Sequence, residues 1–234
     1  MKSAAQEKVA RLFDLFAPTP SPEDLRIAEA LVFASAEPIE ESVLAKRLSE
    51  GADVAQVMAE LQKLYEGRGF NLVRVAGRWT FRTAHDLSWL LAKEGEEKRR
   101  LSRAAIETLA IVAYHQPVTR AEIEAIRGVA VSKGALDVLM EAGWVRMRGR
   151  RRAPGRPITY GTTQDFLIQF GLDAIRDLPG LEDLQTAGLF DGELPRGYGV
   201  PQPSDDTTLR PDEEPLEAGA LEQAWSPIAG DEGG

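Results

Sequence analysis

The side chains best suited to chemistry in this 234-residue chain are six arginines within eleven positions: Arg146, Arg148, Arg150, Arg151, Arg152 and Arg156. Guanidinium groups at that density meet phosphates, where each contact adds salt-dependent affinity, or they meet carboxylates. Other reactive groups are scarce. Zero cysteines exclude a disulfide framework and every thiolate metal site. His85 and His115, the two histidines, lie thirty positions apart and make no histidine-rich metal site. His115 closes a helical pattern, where a helix C-terminus favours an imidazolium, and His85 reads as a turn or surface residue. Lys133-Gly134 is the wrong order for a P-loop and lacks the preceding glycines. No G-x-S-x-G elbow, H-E-x-x-H pair or dinucleotide fingerprint is present, and the carboxylates are interleaved with solubilising charges. The reading is of a chain that is not an enzyme and has no cofactor.

Charge is unevenly spread. Residues 191–234 hold eleven acidic and two basic side chains, a net of −9, which is the net charge of the whole chain. Residues 98–160 hold thirteen basic and five acidic ones, a net of +8, whereas residues 22–97 stand at −5. A basic module inside an acidic protein calls for a negatively charged partner: nucleic acid, an acidic protein face, or the chain's own tail. The longest uncharged run, Thr108–Thr119, is too short to span a bilayer and contains Pro117.

The elements that must position these groups repeat. Ser21, Pro22 and Asp24 are the start signals of a helix with Ile27, Ala28, Leu31, Val32 and Ala34 on its apolar stripe. A short extended piece, Glu37-Pro38-Ile39, follows. A second helix turns Val43, Leu44 and Leu48 inward, and a third runs from Asp53 to Gly67. Two strands then join through Ala76-Gly77-Arg78. About eighty residues later the order recurs: a helix capped by Ser102, Gln116-Pro117-Val118, a capping box at Thr119-Arg120-Ala121-Glu122, a stop at Gly128, a third helix from Val131 to Gly143, and two strands, Trp144 to Met147 and Ile158 to Tyr160. Aligning Pro38 with Pro117 gives an offset of 79 that also sets Leu44 on Ile123 and Val57 on Leu136. Thr163–Gly171 reads as a closing helix.

Three short helices and a hairpin, twice over, predict an α+β, mostly helical fold of tandem winged-helix domains with a disordered acidic tail. The expected bounds are 1–21 for an N-terminal extension with an amphipathic stripe, 22–91 for the first domain, 92–100 for a charged connector, 101–185 for the second domain and 186–234 for the tail. The tail has six prolines, seven glycines and few large apolar residues over its last forty-four positions, too little to offset its ordering entropy. The helices that would enter a major groove lack a base-reading set: the second domain offers Lys133, Asp137 and Glu141. Sequence-specific DNA binding is therefore disfavoured, although Lys133, Arg150, Arg151 and Arg152 remain candidate phosphate contacts.

Residues 101–184 closely resemble the bacterial segregation and condensation protein B (ScpB) family. The resemblance rests on Leu101 to Val129, on Pro154-Gly155-Arg156-Pro157 followed by Tyr160-Gly161-Thr162-Thr163, and on Phe166-Leu167, Phe170-Gly171-Leu172 and Leu178-Pro179. Ala30 to Ser35 and Glu37-Pro38-Ile39 resemble the opening of that family's first domain more loosely. The resemblance implies a non-catalytic homodimer in the complex of the SMC ATPase with the kleisin ScpA, working in chromosome condensation and segregation in the cytoplasm at the nucleoid. It implies indirect or weak DNA contact and no membrane. First domains of the family dimerise and second domains grip the kleisin. That places a kleisin surface at Thr119, Arg120, Glu122, Ile126 and Arg127, and at Arg148, Arg156 and Tyr160 on the wing. Leu87, Trp89, Leu90 and Leu91 are the candidate dimer contacts. Thr119 and Glu122 have a competing reading as caps and Ile126 as core. The rival functional class is a winged-helix transcription regulator using the arginine-rich wing.

Overall fold

Ser21 Oγ accepts the amide of Asp24 at 3.0 Å, and Pro22 presets the first helical φ, so α1 (Pro22–Ala34) starts where the sequence signals place it. The computed structural model describes residues 20–91, 101–131, 134–180, 183, 203–205 and 208–216. The amphipathic stripe of the N-terminal extension, Val9, Leu12, Phe13 and Phe16, and the connector at 92–100 lie outside the described residues. The chain divides between Glu96 and Glu97 into two compact units.

In the first unit α2 (Glu41–Ala45) and α3 (Val54–Leu64) follow α1. The Asp53 carboxylate caps α3, accepting from the amides of Ala55 and Gln56 at 3.0 and 3.3 Å. A hairpin follows, β1 (Phe70–Val75) against β2 (Arg78–Thr83), with Leu72 opposite Phe81. Its turn sets Ala76 and Gly77 at φ 50° and 74°, the hand that matches strand twist. A turn at His85–Leu87 and α4 (Ser88–Leu91) end the unit. Ala28, Val32, Leu44, Met58, Leu61 and Trp79 form the core. Each large apolar side chain so buried contributes about 1.5–3 kcal/mol.

The second unit repeats the plan with additions. It runs α5 (Arg103–His115), β3 (Val118–Thr119), α6 (Arg120–Arg127), α7 (Ala135–Glu141), β4 (Val145–Arg151), β5 (Ile158–Thr162) and α8 (Gln164–Phe170). Thr163 caps α8, and Gly171, at φ 73°, stops it. Leu109, Val112, Ile123, Leu136, Leu139 and Phe166 fill the core. The sheet is antiparallel in the order β3-β5-β4-β6, where β6 is Glu213–Glu214.

The repeat is physical. In each unit the extended piece after the first helix pairs with the second strand of the hairpin, Ile39 with Trp79 and Val118 with Tyr160. The constant offset, however, holds only for this extended piece and the second helix. Buried Ala28 and Val32 correspond to buried Thr108 and Val112, eighty positions on, while Met58 and Leu61 correspond to Leu136 and Leu139, seventy-eight on. One position is lost in each connection between helices.

The expectation of a disordered tail over 186–234 fails for residues 208–216. Glu213 and Glu214 pair with Arg151 and Arg150 of β4. The expectation counted only apolar burial, whereas this segment is held by strand pairing and by carboxylates set against arginines.

Candidate functional site

The register of β4 shifts between Met147 and Gly149, so the burial of its arginines does not follow simple alternation. Arg148 points inward, its side chain 6% exposed, with Nε 3.6 Å from an oxygen of Glu213, which is itself fully buried. The other Glu213 oxygen takes the Thr159 hydroxyl at 2.7 Å, and the Arg210 amide donates to the first at 2.9 Å. Arg148 also donates to the Thr208 carbonyl. Arg151 joins Asp212 at 2.8 Å, Glu122 at 3.0 Å and the Pro117 carbonyl at 3.0 Å. Arg156 meets Glu214 at 2.6 Å, Arg152 lies 3.5 Å from the same carboxylate, and Arg150 donates to the Arg156 carbonyl. The Arg152 amide donates to the Asp212 carbonyl at 2.7 Å.

Backbone chemistry makes room for this strand. A Cβ on Gly149 would sit 2.6 Å from the Glu214 carbonyl oxygen and 3.0 Å from Leu209, so only glycine allows the approach. Of the candidate phosphate contacts, Arg151 and Arg152 are therefore paired with acidic residues of this chain, and Lys133 lies outside the described residues.

On α6 the capping box forms: the Glu122 amide donates to Thr119 Oγ1 at 3.3 Å, and the Thr119 amide donates to the Glu122 carboxylate at 2.7 Å. Thr119 is buried, so it caps and presents no surface. Burial raises the Glu122 pKa, but the Thr119 amide and Arg151 outweigh it and hold the carboxyl below its ordinary range. Burial also opposes the Arg151 charge, and Glu122 and Asp212 reverse that, pushing its pKa up. Arg120 reaches Glu124 at 3.4 Å and the Val131 carbonyl at 2.8 Å. Arg127 is not a surface contact: its side chain is 7% exposed, and it binds Glu107 on α5 at 3.1 Å. Ile126 is 40% exposed and is therefore not core. Tyr160 is half-buried, and burial raises its pKa. A pocket lined by His115, Pro117, Glu122, Ala125, Ile126 and Arg151 brings α6 and the hairpin together.

One expectation changes here. His115 does end α5, but it is partly buried and desolvation lowers its pKa, so a favoured imidazolium is not what this position provides. Among the described residues no group of three or more His, Asp or Glu could hold a metal, and no helix is long and apolar enough to cross a membrane.

In the first unit Trp89 is 62% exposed, Leu90 is exposed and Leu87 is half-buried, while the side chain of Leu91 lies outside the described residues. The sequence reading missed Phe33, which is 76% exposed. The signal was available, since Phe33 falls off the α1 stripe. It also missed Gly149 and the run Asp212-Glu213-Glu214, which composition had assigned to disorder.

Comparison with known proteins adds a family. A family model described as segregation and condensation complex subunit ScpB matches residues 26–181. The segregation and condensation protein B of Symbiobacterium thermophilum is 44% identical over 169 residues, covering 70% of this chain and 77% of the relative. That of Moorella thermoacetica is 47% identical over 170 residues, covering 70% and 87%. Among solved structures, ScpB from Mycobacterium tuberculosis is similar at 32% identity with a TM-score of 0.30, covering 67% of this chain and 99% of that one.

Proposed function

The chain belongs to the segregation and condensation complex subunit ScpB family, and from that premise we propose that it is the non-catalytic, homodimeric ScpB subunit of an SMC–ScpA–ScpB complex. In this reading both units are winged-helix domains turned to protein binding. The first dimerises through Trp89 and its neighbours, and the second grips the kleisin ScpA. The complex serves chromosome condensation and segregation, with the ATPase activity on the SMC subunit. The observation that carries the reading is the family match across residues 26–181, which spans parts of both units.

The kleisin surface is drawn from exposed and half-exposed groups of α6 and the hairpin. Ile126 supplies the apolar anchor, Arg120 and Glu122 flank it, and Tyr160 lies on β5. Thr119 and Arg127 support this surface from within. Arg148 and Arg156 belong to it only once the acidic strand has left them.

The test is recovery of partners with the tagged full chain from nuclease-treated lysate of its own source. Co-purification of a kleisin and an SMC ATPase is the expected result. Their absence, with one DNA site enriched from untreated lysate, overturns the reading in favour of a DNA-binding regulator.

A further inference from the structure

The outer edge of β4 carries a built site for a carboxylate-bearing strand. Three features meet there. Gly149 leaves no Cβ between the edge and a passing peptide carbonyl. Arg148 is buried and ends on a buried carboxylate whose second oxygen is taken by Thr159. Arg151 and Arg156 then receive the carboxylates on either side, from Asp212 and Glu214. Acidic side chains at three consecutive positions are thus read by four arginines, Arg152 joining Arg156 at Glu214, while the Arg152 amide donates to the backbone carbonyl of the first.

These features select a peptide over a phosphate backbone. A phosphodiester has no carbonyl or amide spaced to pair with a strand edge. The present occupant is also short. Two residue pairs join β6 to β4 among the described residues, and Asp212 stays exposed. The outer ion pairs, Asp212 with Arg151 and Glu214 with Arg156, are partly solvated, so a longer strand that supplies the same carboxylates can replace this one.

We propose that this β4 edge is a binding site for an acidic extended segment of a partner protein, and that residues 208–214 occupy it in cis as a stand-in that the partner displaces. The site shares Arg148 and Arg156 with the proposed kleisin surface, but its partner is defined by chemistry alone, consecutive carboxylates on an extended backbone, and the peptide assay below tests it without a kleisin.

The experiment uses the full chain and a fluorescent peptide of residues 206–216. Glu213→Lys sets a cation against Arg148 and releases the tail while leaving the receptor untouched. Fluorescence anisotropy is expected to give at least about tenfold tighter peptide binding to the Glu213→Lys chain than to wild type, where the tethered segment competes at high effective concentration. Adding Gly149→Ala to that chain should remove the gain. The three atoms nearest the new Cβ, outside its immediate chain neighbours, all belong to the tail segment, so the substitution bears first on the occupant of the edge. A peptide carrying the same lysine substitution should fail on every chain. Equal binding to the wild-type and Glu213→Lys chains overturns the proposal, as does binding indifferent to the peptide's own glutamate. So does a 20-base-pair duplex that gains more affinity than the peptide. A wild-type dimer that Glu213→Lys alone dissociates would assign the segment to exchange between copies and overturn the partner.

Discussion

Arg127 Nη2 lies 3.1 Å from the Glu107 carboxylate, fastening α6 to α5 from a side chain almost closed to solvent. Arg103 holds the same carboxylate from the other side at 2.9 Å. Arg127 first and Arg103 second keep the Glu107 carboxyl below its ordinary range. An arginine that the sequence offers as a partner contact is thus a brace between two helices of its own unit.

Reversing that brace should unfold rather than unbind. Arg127→Glu sets two carboxylates together in a closed position, and the melting temperature of the full chain is expected to fall by about 5 °C or more. Arg120→Glu, on the exposed side of α6, loses a half-exposed ion pair and one hydrogen bond and should cost no more than about 1 kcal/mol. Thermal circular dichroism of the two single variants separates them. Equal losses would mean that Arg127 is no more structural than Arg120.

The kleisin surface should then be probed at Ile126. Its exposure makes Ile126→Asp nearly neutral for folding but damaging to an apolar anchor. With Arg120→Glu added, affinity for the kleisin is expected to drop about tenfold or more by titration calorimetry, with a melting curve no lower than that of Arg120→Glu alone. Unaltered affinity would remove α6 from the interface.

How much of this was readable in advance depended on which force set each element. Capping is local, so Ser21, Asp53, Ser102, Thr119 and Thr163 all stand where hydrogen-bonding side chains precede apolar periodicity. The repeat was legible through Pro38 and Pro117, because the stub that follows each proline pairs with its hairpin. Burial of charge was not legible. Arg127 and Arg148 look like surface residues until Glu107 and Glu213 are brought to them, and sequence separation hides both partners. Glu213 was the hardest, since its segment has no apolar pattern and is recognised only by the edge it completes.

Acid should loosen the first unit through Asp24. This buried carboxylate accepts the Ser49 amide at 2.8 Å and the Ser21 hydroxyl at 2.8 Å, and these bonds lower its pKa, the Ser49 amide foremost. A carboxyl with a depressed folded-state pKa contributes stability that is present above its unfolded value. That contribution is lost as pH falls through the folded one. Melting temperatures are therefore expected to decline from about pH 5 downward, and Asp24→Asn should flatten that decline while lowering stability at neutral pH. An Asp24→Asn chain with the wild-type pH profile would assign the acid sensitivity to other carboxylates.

In the proposed homodimer, self-association should turn on Trp89. The segment α4 is four residues long, too short to be a stable helix alone, yet it exposes Trp89 and Leu90 side by side. An indole left that open contributes little to the fold of its own unit, so Trp89→Ala should leave the melting curve of the dissociated chain unchanged. At a dimer seam the same indole would be a central contact whose truncation costs about 2 kcal/mol or more, roughly a thirtyfold weaker dimer. Light scattering at low micromolar concentration should then show Trp89→Ala dissociating where wild type does not. If the variant remains fully dimeric, α4 is not the seam. Phe33, the most exposed large apolar side chain among the described residues, becomes the position to truncate, because its place off the α1 stripe leaves it the same lack of purpose within its own unit.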